Sequence, residues 1–186
     1  MENRVINAAI LGAGTVGGGV YKLAQAMEED IFYKTGARLV IKKMLVRNVN
    51  KERKGIPSEI LTDDWNSIIN DPEIDIIVEL MGGITPAKKY VIEALNAGKQ
   101  VVTANKDLLA EYGEEVMSAA EKSGNDLQFE AAVAGAIPII RPLKQSMAGN
   151  HITEVMGIVN GTTNYILTKM TEKGMDYADA HAEATE

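Results

Sequence analysis

The apolar positions of this chain fall in short blocks whose period alternates between that of a strand and that of a helix. Val5 to Leu11 (VINAAIL) is an apolar run ended by glycines, which predicts a strand buried on both faces. From Thr15 to about Glu29 the spacing turns helical, with Val16, Val20, Leu23 and Met27 on one face. Leu39 to Val46 (LVIKKMLV) predicts the next strand, and residues 55–70 a short strand and a short helix through Trp65, Ile68 and Ile69. Ile74 to Leu80 (IDIIVEL) predicts another buried strand, followed by Gly82-Gly83 and a helix whose first turn suits Pro86. That helix closes near Gly98, and Gln100 to Thr103 resumes a strand. A helix over Asp107 to Lys122, a strand over Leu127 to Val133 and a helix starting at Pro138 complete this part. Strands alternating with helices in this way predict an α/β fold built on a doubly wound parallel sheet.

The character changes after about Gly149. Ile152 to Val159 (ITEVMGIV) predicts a strand, and Gly161-Thr162-Thr163 opens a helix through Ile166, Leu167 and Met170. A further helix starts near Asp176 and still runs at Glu186. A stretch of roughly 40 residues is too short to bury a core of its own. It is expected to open a second, α+β domain whose remainder is missing. No internal repeat, low-complexity tract or Gly/Ser linker interrupts the chain.

Length and charge narrow the function. At 186 residues, with about 150 per domain as a guide, the chain holds one full domain and part of another. Lys and Arg number 19 against 26 Asp and Glu, a net charge of −7, which argues against general nucleic-acid binding. The absence of cysteine excludes disulfides, thiolate metal sites and cysteine nucleophiles. No apolar run approaches the length of about 18 residues that a membrane span needs. Val5 to Val20 superficially suggests a signal peptide, but Gly12, Gly14, Gly17, Gly18 and Gly19 interrupt the block. The expected location is cytoplasmic.

The candidate chemistry begins at Gly12-Ala13-Gly14-Thr15-Val16-Gly17, which matches G-x-G-x-x-G between the first strand and the first helix. In a Rossmann setting the first glycine permits a tight turn and the second lets a pyrophosphate approach the backbone. The third allows close helix–strand packing. The helix then aims free N–H groups and its positive end at the anion. The alternative is a turn that merely packs.

The end of the second strand separates NAD from NADP. An acid there would favour the ribose hydroxyl of NAD. This chain has Arg47, followed by Lys51, Arg53 and Lys54, which suit a 2′-phosphate. NADP is therefore favoured, with NAD also accepted. The competing reading is a solvated basic loop.

His151 and His181 are the only histidines and neither sits in a metal-ligand pattern, so both are read as surface residues. There is no G-x-S-x-G elbow and no G-x-x-x-x-G-K-[ST] loop, which leaves hydride transfer as the leading class. Lys106 follows the strand VVT at the carboxyl edge of the sheet, where such folds bind ligands. It could bind a carboxylate, hydrogen-bond a ribose or carbonyl oxygen, or move a proton. As a plain helix-start lysine it would oppose the dipole. Glu130 is an acid inside the apolar FEAAVAGAIP, and a buried carboxylate needs a cation or donors.

VVTANK (101–106), FEAAVAGAIPII (129–140) and GIVNGTTNYILTKM (157–170), together with GAGTVG, resemble the homoserine dehydrogenase family over essentially the whole chain. The resemblance implies reversible oxidation of L-homoserine to L-aspartate 4-semialdehyde with NAD or NADP. It implies an NAD(P)-binding domain over 1–140 and the hinge and start of the catalytic domain over 141–186. Gly12, Ala13, Gly14, Thr15, Val16 and Gly17 would hold the pyrophosphate, Arg47 would face the 2′-phosphate, and Gly82 would also touch the cofactor. Lys106 would lie at the nicotinamide and substrate end, as a substrate-positioning or proton-relay residue. Glu130, with the backbone carbonyls of Val133, Gly135 and Ile137, would form a monovalent-cation site, usually sodium. The Asn160-Gly161-Thr162-Thr163 turn would begin the substrate domain.

In the family, the homoserine-binding acids, the proton-transferring lysine and most of the dimer interface lie downstream of Glu186. The chain is therefore expected to be an N-terminal fragment of a homodimeric enzyme, binding dinucleotide but turning over little homoserine. Two other readings compete. One is a different small Rossmann reductase, such as an aspartate dehydrogenase or dihydrodipicolinate reductase, which leaves GIVNGTTNYIL unexplained. The other is an NAD(P)H-sensing module without chemistry.

Overall fold

The structure, a computed structural model, describes residues 4–185. Among them, β1 (Arg4–Leu11), β2 (Ala37–Leu45), β3 (Leu61–Thr62), β4 (Ile76–Glu79), β5 (Gln100–Thr103) and β6 (Leu127–Gln128) form one sheet. Its order is β3-β2-β1-β4-β5-β6 and every pairing is parallel. This is the expected doubly wound Rossmann arrangement. Its direction reverses beside β1, which opens a crevice at the carboxyl end of that strand.

The alternation of β1 shows why the strand had to be apolar throughout. Ala8 and Ile10 face a cluster with Tyr21, Ala24, Ile41 and Met44. Ala9 and Leu11 face the opposite cluster with Val91, Leu95, Leu108 and Val116. Successive side chains of a strand point to opposite faces, so a strand covered by helices on both sides cannot alternate apolar with polar.

The connecting helices are α1 (Thr15–Ala26), α2 (Glu28–Thr35), α3 (Asn66–Ile69), α4 (Ala87–Asn96) and α5 (Lys106–Ser123). The single helix expected from Thr15 to Glu29 breaks at Met27, and α2 ends on Gly36 in the left-handed region at φ 71°. The buried face of α1 also differs from the expected one. Gly17, Tyr21 and Ala24 are buried, whereas Val16 and Leu23 are 57% and 59% exposed. Gly17 is pressed against the turn before α1, where no Cβ fits, and this fixes Gly17, Tyr21 and Ala24 as the inner face, so counting apolar residues picks the wrong side. Pro86 stands immediately before α4 rather than within its first turn, and the Thr85–Pro86 bond is cis.

The strand expected over Leu127 to Val133 stops at Gln128, and Glu130–Ala132 forms a 3₁₀ turn. β6 pairs only with β5, which itself ends at Thr103, so no ladder exists for a longer strand to join.

The chain divides into two compact units after Gly135. In the second, the helix expected from Pro138 forms from residue 140 and takes π-type geometry over Pro142–Ser146. The strand expected over Ile152 to Val159 is not formed; this exposed stretch has no hydrogen-bonded neighbour strand among the described residues. Two helices follow as expected, α6 (Gly161–Lys173) and α7 (Tyr177–Thr185). The Asn160 side chain caps α6, accepting from the Thr163 N–H at 2.7 Å. Tyr165 donates to Glu183 at 2.7 Å and Lys169 pairs with the same carboxylate, tying the two helices together. No helix among the described residues is long and apolar enough to cross a membrane.

Candidate functional site

The turn between β1 and α1 is built for backbone contact with a ligand. Gly12 has φ +100°, and a Cβ there would lie 2.8 Å from the Leu80 carbonyl oxygen. A Cβ on Gly17 would collide with the Gly12 carbonyl oxygen. A Cβ on Gly14, in contrast, meets nothing within 4 Å, so this glycine faces open space. Two glycines are thus dictated by packing, and the middle one leaves its backbone approachable. No side chain caps α1 and no acid sits in its first turn. Its N–H groups and positive end are left to an anion.

The carboxyl edges of β4 and β5 adjoin this turn, and they carry a polar network that sequence reasoning missed. Glu79 is fully buried. Its carboxylate accepts from the Met81 N–H at 2.8 Å and from the Thr103 hydroxyl at 2.7 Å. The Thr103 oxygen in turn accepts from the Asn105 N–H at 3.0 Å. Asn105 donates from Nδ2 to the Gly83 carbonyl at 2.6 Å and caps α5 by accepting from the Leu108 N–H at 3.1 Å. The available signal was an acid closing the otherwise apolar IIVE. Glu130, inside FEAAVAGAIP, is the same kind of signal.

Val16, Leu80, Gly82, Asn105, Lys106 and Asp107 line an open cleft of about 240 Å³ at this edge. The structure therefore brings the glycine turn, Gly82 and Lys106 together. Lys106 is exposed and is the first residue of α5. Arg47 is exposed just past the carboxyl end of β2, outside the cleft. The Gly12 N–H donates to the Leu45 carbonyl at 2.9 Å, linking the glycine turn to the end of that strand. Arg53 is committed to its own loop, donating to the carbonyls of Asn48 at 3.0 Å and Lys51 at 2.7 Å.

Glu130 is half-buried in its 3₁₀ turn. After Val133, the residues Ala134, Gly135 and Ala136 all have positive φ, an unusual run for two alanines. Ile137 lies past the division between units and is 65% exposed. His151 and His181 are both exposed, as expected.

The displaced titrations lie away from this edge. Hydrogen bonding to Asp71 and Glu73 raises the Lys42 pKa, and Lys42 holds the Asp71 carboxyl below its ordinary value. Burial lowers the pKa of Lys99, which donates to the carbonyls of Asp71 and Ile74 at 2.8 Å each. In the second unit, Glu183 raises the pKa of Lys169 and is itself lowered by it.

The strand order, the glycine turn and the cleft at the switch point define an α/β domain of the doubly wound, dinucleotide-binding class. Residues 12–130 match the model for the NAD-binding domain of homoserine dehydrogenase, and residues 138–186 match a second homoserine dehydrogenase model. The chain belongs to the homoserine dehydrogenase family. It is 44% identical over 182 residues to the homoserine dehydrogenase of Bacillus subtilis (strain 168), covering 97% of this chain. The structure of a homoserine dehydrogenase from Thiobacillus denitrificans matches with a TM-score of 0.85 and 43% identity, covering 97% of this chain and 42% of that one. A hyperthermophilic archaeal homoserine dehydrogenase in complex with NADPH matches at a TM-score of 0.76 and 27% identity, covering 97% of this chain and 60% of that one. The chain spans 42% of the length of the Bacillus relative. The match over 138–186 includes GIVNGTTNYIL, the stretch that other small Rossmann reductases leave unexplained.

Proposed function

We propose that this chain binds a nicotinamide dinucleotide, NADP in preference to NAD, for the reversible oxidation of L-homoserine to L-aspartate 4-semialdehyde. The observation that carries the reading is the open backbone at Gly14 beside an uncapped, acid-free helix start. Those groups suit a pyrophosphate. When bound, the nicotinamide supplies the two-electron exchange with the carbinol carbon. The residues Gly12 to Gly17 hold and orient the dinucleotide, with Gly82, in the lining of the same cleft, against it. Arg47 supplies charge-assisted hydrogen bonds to a 2′-phosphate, and its place after β2 supports that role. Lys106 Nζ donates a hydrogen bond to the substrate oxygen, positioning it or relaying its proton, and its position in the cleft supports the assignment.

Three further roles belong to the same reading. Glu130, with the carbonyls that follow it at Val133 and Gly135, holds a monovalent cation such as sodium, whose preference is for hard oxygen ligands. The nucleotide domain extends to about residue 140, where the substrate domain begins. The enzyme works as a cytoplasmic homodimer. The test is turnover by the full-length product of the gene, followed at the nicotinamide absorbance. L-homoserine is the expected substrate. Oxidation of L-aspartate in its place would overturn the assignment.

A further inference from the structure

Glu79 is costly to bury, since a carboxylate leaves water only when its oxygens find donors. Both of its oxygens do, and the partners are revealing. One oxygen takes the Met81 N–H, in the loop that carries Gly82. The other takes the Thr103 hydroxyl, whose oxygen receives the Asn105 N–H. Asn105 then reaches back across the cleft to the Gly83 carbonyl and caps the helix that starts at Lys106. The loop after β4 and the first turn of α5, the two walls of the cleft, are therefore joined through one buried carboxylate. The same loop meets the glycine turn, because the Leu80 N–H donates to the Leu11 carbonyl at 2.9 Å and the Leu80 carbonyl crowds Gly12. An apolar strand end would fill this volume without any desolvation cost, but it would leave the Met81 N–H and the Thr103 hydroxyl without acceptors.

We propose that Glu79 is a positioning residue which, through Thr103 and Asn105, sets the nicotinamide half of the dinucleotide site. The inference rests on the dinucleotide reading above and deepens it. Glu79 touches neither cofactor nor substrate; it fixes the distance between Gly82 and Lys106. Glu79→Gln keeps an acceptor for the Met81 N–H but turns an amide N–H₂ towards Thr103, so the hydroxyl proton loses its acceptor. Thr103→Val removes that hydroxyl, and Thr103→Ser restores it.

The test titrates this chain and the three variants with NADPH and with 2′-phospho-ADP-ribose, which lacks the nicotinamide. Glu79→Gln, which loses one hydrogen bond to a charged group, should weaken NADPH about ten-fold, and Thr103→Val, which also takes the acceptor from the Asn105 N–H, at least as much. They should leave 2′-phospho-ADP-ribose within about two-fold, because its contacts lie at the glycine turn. Thr103→Ser should bind both ligands as the parent does. Equal loss of both ligands, or loss of neither, would overturn the inference while leaving the dinucleotide reading intact. Binding of neither ligand by the parent chain would overturn that reading, and the inference with it. If Glu79→Gln does not fold, the Thr103→Val and Thr103→Ser pair decides the matter alone.

Discussion

The backbone of Gly17 lies against the carbonyl of Gly12, so closely that a Cβ on Gly17 could not be accommodated. Gly14, between them in the same turn, has open space where its side chain would be. The two glycines therefore fail in different ways when replaced. Gly17→Ala should cost about 1–3 kcal/mol of stability through overpacking. Gly14→Ala should leave the urea midpoint nearly unchanged, since its φ of −83° suits any residue, yet weaken dinucleotide binding. Equal stability loss in both variants would contradict the assignment of the open position to a ligand.

Arg47 should discriminate between the two dinucleotides. Arg47→Ala is expected to weaken NADPH by roughly 10- to 100-fold, the range for losing charge-assisted hydrogen bonds, and to leave NADH almost unchanged. Parallel losses for both would assign Arg47 to the fold or to the common part of the ligand.

Lys106 should matter to turnover more than to affinity. In the full-length gene product, Lys106→Ala is expected to lower kcat by about 10²-fold or more, the effect of losing a group that positions the substrate oxygen or relays its proton. Dinucleotide affinity should change far less. Unchanged turnover would remove Lys106 from the reaction.

A pH dependence of stability follows from the Lys42–Asp71 pair, joined at 2.8 Å. Asp71 titrates below its ordinary 3.8 in the folded chain. Its contribution is thus present above that value and fades as the pH falls through the lowered one. Lys42 is shifted upward from 10.5, so its contribution holds below that pH and fades as the pH rises through the raised value. Lys99 works in the opposite sense at the alkaline end. Burial lowers its folded pKa, so stability grows as the pH climbs from that lowered value towards 10.5. Urea midpoints of the parent and Asp71→Asn should differ near neutral pH and converge on acidification below about 3.8. A gap that persists unchanged in acid would show that the pair does not set it.

Much of the scaffold was legible because strands buried on both faces are apolar throughout, and glycine turns punctuate them. The strand from Val5, the helix behind Asn160 and the glycine turn lie where the pattern put them. What was not legible depended on neighbours. The inner face of α1 is set by the close approach at Gly17, so Gly17, Tyr21 and Ala24 lie inside while Val16 and Leu23 lie outside. β6 is cut short because β5 ends beside it, and Ile152 to Val159 has no strand to pair with among the described residues. Glu79 escaped notice because its meaning lies in Thr103, which is distant in sequence and joined only by the sheet.

The proposed site takes a nicotinamide dinucleotide, with a preference for the 2′-phosphate. A calorimetric titration of the chain with NADPH and with NADH, in sodium-containing buffer, tests it most directly. Binding of both, with NADPH the tighter, is the predicted result. Heat from neither ligand would contradict the account.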